Sequence, residues 1–157
     1  MRFWLLKTEA DEFGWHDQIA AGAVGAEWHG IRNYQARNNL RAMELGDLAF
    51  FYHTGREKAV VGIVEVTRLA APDSTTDDPR WDSVWVRATA PLTPVTLERC
   101  RAEPALHNMV LLNNSRLSVQ PVSGDEWTLI CRIGGCLDKM SQVPRCLVPA
   151  FDGSDLE

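Results

Sequence analysis

The chain has 157 residues, 45% of them hydrophobic and 24% charged, with a formal net charge of −5. One domain of this size buries about 70% of its unfolded surface and needs neither disulfide nor metal to fold. A composition near the globular average argues against disorder, no apolar run approaches the roughly 20 residues of a membrane-spanning helix, and the acidic balance argues against an indiscriminate nucleic-acid coat, which must neutralise phosphates.

Phe3 to Leu6 reads as a short strand buried on both faces. Four apolar residues are too few for a signal-peptide core, so a cytoplasmic protein is expected. Lys7, Thr8 and Glu9 follow at the strand's end, where pockets often place polar contacts. Trp15 to Ala21 is predicted as a helix stopped by Gly22, and Ala23 to Glu27 as a loop.

The segment from Trp28 to Arg41 is the least ordinary in composition: three arginines, Arg32, Arg37 and Arg41, and no acidic residue. It also holds Trp28, Tyr34, Gln35, Asn33, Asn38 and Asn39, side chains that stack on flat rings or hydrogen-bond to their edges. Arg32 and Arg37 are candidate phosphate partners, or else solvated or internally paired helix charges; Asn33 and Asn38 are candidate contacts or helix caps. Ala36, Leu40 and Met43 recur at helical spacing from Tyr34 onward, with Gly46 beyond as the stop.

Leu48 to Tyr52 and Val60 to Leu69 are predicted as an antiparallel hairpin, and Gly62 within it marks a bulge or a close approach of another backbone. Pro72 to Pro79 reads as a surface loop, and its carboxylates Asp73, Asp77 and Asp78, with Asp82, oppose the basic 28–41 segment in a dipolar surface that could orient an anion. Asp82 to Leu92 alternates as a strand, and a helix is predicted over Thr96 to Ala102. Leu117 to Val122 is a further strand, limited by Pro121 to an edge or end, and Ser123 with Glu126 forms a capping box opening a helix closed by Gly134-Gly135. Residues 136–157 read as a tail on a domain of residues 1–135. Trp4, Trp85 and Trp127 are expected in the core. Cys100, Cys131, Cys136 and Cys146 show no zinc spacing, and His16, His29 and His107 are isolated, so reduced thiols and neither metal nor cofactor are expected. Interleaved short strands and helices suggest an α+β fold whose mixed, mostly antiparallel sheet is either an open α+β sandwich or a small curled barrel.

Trp28-His29-Gly30-Ile31-Arg32-Asn33-Tyr34-Gln35-Ala36-Arg37-Asn38 resembles the most recognisable motif of the EVE domain family, which is related to the PUA, ASCH and YTH domains. Four further segments, at 3–9, 46–53, 79–81 and 117–122, are similar to other blocks of that family, in order, and the likeness runs from about residue 2 to about 133. It implies a PUA-like β-barrel with flanking short helices, and an aromatic-caged pocket for a modified base. Carried over residue by residue, it implies Trp28 as one wall, Trp81 as second wall or lid, Tyr52 and His53 at the pocket side, and Lys7, Thr8, Asn33 and Ser118 as edge or phosphate contacts. The expected partner is a nucleic acid carrying a modified base, or a free modified nucleotide, with no membrane involved.

The alternative is a small amidohydrolase on an acylated or modified nucleoside, since the related ASCH group includes enzymes that use lysine, threonine and glutamate. Lys7, Thr8 and Glu9 would supply those groups, yet neighbours on a strand point to opposite faces, so Lys7 and Thr8 are not expected to share one pocket without a bulge. Binding is the preferred reading.

Overall fold

The computed structural model describes residues 1–136, so the tail expected over 136–157 lies, beyond its first residue, outside the described residues. Six strands form one sheet: β1 (Phe3–Glu9), β2 (Ala26–Trp28), β3 (Leu48–Thr54), β4 (Ala59–Pro72), β5 (Asp82–Thr96) and β6 (Val119–Val122). They lie in the order β2-β5-β4-β3-β1-β6. Every neighbouring pair is antiparallel except β1 and β3, which run parallel because the chain between them crosses over. That crossover holds α1 (Trp15–Ala20), β2 and α2 (Tyr34–Ala42). On the other face lie α3 (Leu97–Arg101), a 3₁₀ turn (Pro104–Leu106), α4 (Val110–Asn113) and α5 (Gly124–Ile133).

Both faces of the sheet are therefore covered, and the core has two parts. Phe50 stacks on Trp127 at 3.9 Å between ring centroids, with Leu5, Tyr52 and Ile63 buried around them. Trp4, Leu6, Trp28, Phe51, Ala36 and Leu40 fill the opposite side under α2. Alternation along β1 puts Leu5 in the first and Leu6 in the second, which is why its apolar run is unbroken. Trp4 and Trp127 are buried as expected. Trp85 is not: it is only half-buried, with the Arg68 guanidinium 4.1 Å over its ring.

Of the two closures left open by spacing, the barrel is not formed. β2 and β6 are free ends of the sheet order. The cause is local: β2 is three residues long, and past it Gly30, at φ +85°, turns the chain toward α2 before any ladder to β1 or β6 can start. Instead α2 lies across the opening, with Asn39 Nδ2 donating to the Val119 carbonyl of β6 and Arg41 Nε to the Asp82 carboxylate at the start of β5. Residues 23–27, read as loop, include the start of β2; its partners Val84 to Val86 are nearly sixty residues away, so no local pattern announces it. Gly25 is fixed by that pairing, because a Cβ there would stand 2.3 Å from the Val86 carbonyl oxygen and its φ is +83°.

Candidate functional site

The opening that α2 leaves unfilled is a cleft of about 590 Å³. One lip is Glu27 to Ile31, running out of β2; the other is the C-terminal end of β1, Lys7 to Glu9, with Ser115, Arg116 and Ser118 ahead of β6. Glu12, Phe13 and Thr54 close its end.

Trp28 borders the cleft but is only 5% exposed. Its ring meets Phe13 and Phe51 edge-on, at 6.2 and 5.6 Å, so it serves the core and the cleft together. Thr8 and Lys7 also both border the cleft, contrary to the expectation that strand alternation would separate them. The strand ends there, and Lys7 reaches around the edge to donate from Nζ to the Ser115 carbonyl at 2.7 Å. Burial pulls the Lys7 ammonium below its usual range. The Thr8 hydroxyl donates to the Phe13 carbonyl at 3.1 Å, which anchors the turn carrying Phe13. Ser118 lines the same lip, and its carbonyl accepts the Lys7 backbone N–H.

Glu27 supplies a fixed carboxylate. Burial pushes its pKa up, but hydrogen bonds from the Ser74 and Ser83 hydroxyls and the Ser74 amide outweigh that and hold it below the usual range. Phe13, Glu27 and Arg116 were not legible as site residues. Phe13 and Arg116 sit in turns, and Glu27 lay in a stretch without strand signals, although its place beside Trp28 was a usable hint.

The remaining predicted residues lie outside the cleft. Tyr52 faces the other core, where burial pushes its phenol up to about 12. His53 accepts the Trp15 backbone N–H at Nε2, 3.1 Å away. Asn33 caps α2, its side chain accepting from the Ala36 amide at 2.9 Å. Tyr34 and Trp81 lie against each other, tilted by 32° with ring centroids 5.0 Å apart, and neither lines the cleft, so Trp81 stands against Tyr34 and not opposite Trp28. Gln35 is exposed, and Asn38 accepts two bonds from Arg37.

The expected dipolar surface is largely cancelled, because its two halves pair directly. Arg32 meets Asp73 at 3.0 Å and Arg41 meets Asp82. Asp73 is buried, which alone would raise its pKa; bonds from the Thr75 hydroxyl and amide, the Gly30 amide and Arg32 instead hold it far below the carboxylate range. The 73–81 segment is thus bolted to the 28–32 lip. Among the described residues no group of three histidine, cysteine or acidic side chains could hold a metal ion.

The fold is thus an α+β domain whose sheet, covered on both faces, is left open along one line, with Phe13 and Trp28 bordering the opening and polar groups at its lips. The EVE domain model matches residues 2–133, and the chain belongs to that family. Thymocyte nuclear protein 1 of Gallus gallus is 35% identical over 160 residues, covering 81% of this chain; the match spans 66% of the relative's own length. A crystal structure of a protein from Agrobacterium tumefaciens, 49% identical, superposes with a TM-score of 0.85 over 86% of this chain and 94% of that one. Human THYN1 protein, solved in complex with DNA containing 5-methylcytosine, is 32% identical with a TM-score of 0.78, over 85% of this chain and 98% of its own. An ASCH protein from Zymomonas mobilis, 10% identical with a TM-score of 0.57 over 85% of this chain and 99% of that one, shares the fold alone.

Proposed function

We propose that the chain is a non-catalytic module that binds a nucleic-acid strand carrying a modified base and takes that base into the cleft beside Trp28. The observation that carries this is the cleft itself: its volume falls within the roughly 300–1,000 Å³ of small-ligand sites, and flat apolar side chains meet fixed donors and acceptors in it. The human relative's complex with 5-methylcytosine DNA supports DNA as the polymer.

Stacking on an aromatic contributes roughly 1–3 kcal/mol per base, whatever the base. One added methyl contributes under ~1 kcal/mol. Preference for a modification therefore depends on the polar groups, of which Lys7, Thr8, Glu27 and Ser118 border the cleft. The arrangement pairs Thr8 with no base: its hydroxyl donates to the Phe13 carbonyl, and Lys7 Nζ donates to the Ser115 carbonyl instead of standing against that hydroxyl.

The test is titration of the six-tryptophan chain by fluorescence with single-stranded and duplex oligonucleotides carrying cytosine, 5-methylcytosine, 5-hydroxymethylcytosine or N6-methyladenine. Trp28→Ala is a poor probe, since truncating a buried tryptophan costs about 3–5 kcal/mol of stability. Phe13→Ala, at a half-buried position, is the better one. The expected result is stronger quenching for one modified base, lost in Phe13→Ala. Equal affinity for every oligonucleotide, or a preference unchanged in that variant, removes the cleft from the proposal, and turnover of an acylated cytidine would establish the hydrolase instead.

A further inference from the structure

Four arginines stand on the surface where α2 meets the 73–82 segment, and they are not alike. Arg32 is paired with Asp73, Arg80 with Asp78 and Arg41 with Asp82. Arg37, among them and partly buried, has no carboxylate within ion-pair distance among the described residues. It is nevertheless held in place. Nη1 donates to the Arg80 carbonyl at 3.0 Å, Nε and Nη2 donate to Asn38 Oδ1 at 3.2 and 2.8 Å, and the guanidinium lies 4.9 Å over the Tyr34 ring. Tyr34 is itself fixed by Trp81 and by the Arg80 guanidinium on its hydroxyl.

Neutral acceptors orient a guanidinium without cancelling its charge, and three of its five N–H donors are engaged here, leaving two. A planar fork fixed in advance loses little freedom when it takes an oxyanion. The patch is tied to the cleft's lip through Asp73, which accepts from the Gly30 amide and from Arg32, whose guanidinium lies 5.8 Å over the Trp81 ring beside Tyr34.

Resting on the reading above, we infer that Arg37 is the seat for one backbone phosphate of the strand whose modified base occupies the cleft, whereas Arg32, Arg41 and Arg80 serve their own aspartates. One phosphate, rather than a tract of them, fits the surroundings, because Asp73, Asp78 and Asp82 already balance the other three charges. The cleft then carries the preference for the modification, and Arg37 carries affinity common to every sequence.

The test measures oligonucleotide affinity against salt for the full chain and for Arg37→Gln, Arg37→Lys and Arg41→Gln. Loss of one phosphate contact should reduce the slope of log K on log salt by about 0.7 for single strands or about 0.9 for duplex. Arg37→Gln should show that reduction and bind roughly tenfold more weakly or less, with the ratio of modified to unmodified affinity unchanged. Arg37→Lys should keep the slope. Arg41→Gln changes net charge equally and should leave the slope alone. An unchanged slope in Arg37→Gln, or an equal fall in Arg41→Gln, overturns the inference while leaving the base-binding reading intact; absence of binding to any oligonucleotide overturns both.

Discussion

At His53 a hydrogen bond ties a strand end to the start of α1. Nε2 accepts the Trp15 backbone N–H, and Nδ1 stands 3.9 Å from Glu57. Burial pulls the imidazole below its ordinary pKa, against partial opposition from Glu57 and with a smaller downward push from His16. Protonation would turn the acceptor into a second donor facing the Trp15 amide. Because the folded-state value is the lower one, the unfolded chain takes up the proton first. Stability contributed by this group is complete above about 6.5, the unfolded value, and is lost as pH falls from there through the folded value. Urea unfolding between pH 7.5 and 5 should show that loss, and His53→Gln, which keeps an acceptor but does not titrate, should flatten it. Identical pH profiles for both proteins would discard this account.

Among the elements, β4 and α1 constrain each other through one glycine. A Cβ on Gly62 would lie 2.4 Å from the Trp15 ring, and the ladder of β4 slips register beside it on both sides. Of the two readings available from the sequence, the bulge is present, whereas the close approach is made by the Trp15 side chain and not by another backbone. Gly62→Ala should cost about 1–3 kcal/mol as an overpacked site. In a Trp15→Leu background the same change should cost less, which a double-mutant cycle measures; equal costs would mean the ring is not the obstacle. The elements that sequence reasoning placed well are those whose signals are local. The Ser123–Glu126 capping box, the Asn33 cap and the β3–β4 hairpin all depend on residues within a few positions of one another. What it missed depends on distant partners: β2 on β5, Asp73 on Gly30 and Arg32, and the cleft on segments near 8, 28, 54 and 116. Of the predicted site residues, Lys7, Thr8, Trp28 and Ser118 come together, while Tyr52 and Trp81 are carried to other places by strand parity and by the 73–81 segment.

For the molecule as a whole, the open line between β2 and β6 governs how ligand and stability are linked. No hydrogen bond among those of the described residues joins the 27–31 lip directly to Lys7–Glu9 or to 115–118. Across the opening, α2, through Asn39 and Arg41, and the aromatic contacts of Phe13, Trp28 and Phe51 help to hold the two sides together. An oligonucleotide bound between the lips should stabilise the fold by about 2.7 kcal/mol at a hundredfold excess over Kd, seen as a rise of several degrees in Tm. No rise at saturating concentrations would mean that the oligonucleotide does not bind the folded chain preferentially. The same geometry sets what kind of selectivity the module can possess. A hoop cut at one point would widen there without breaking a rung, since no hydrogen bond of the described residues spans the gap. For the proposed base, bulk would then be a weak criterion, and discrimination would come from where the charges and hydroxyls of Lys7, Thr8, Glu27 and Ser118 stand on the two rims.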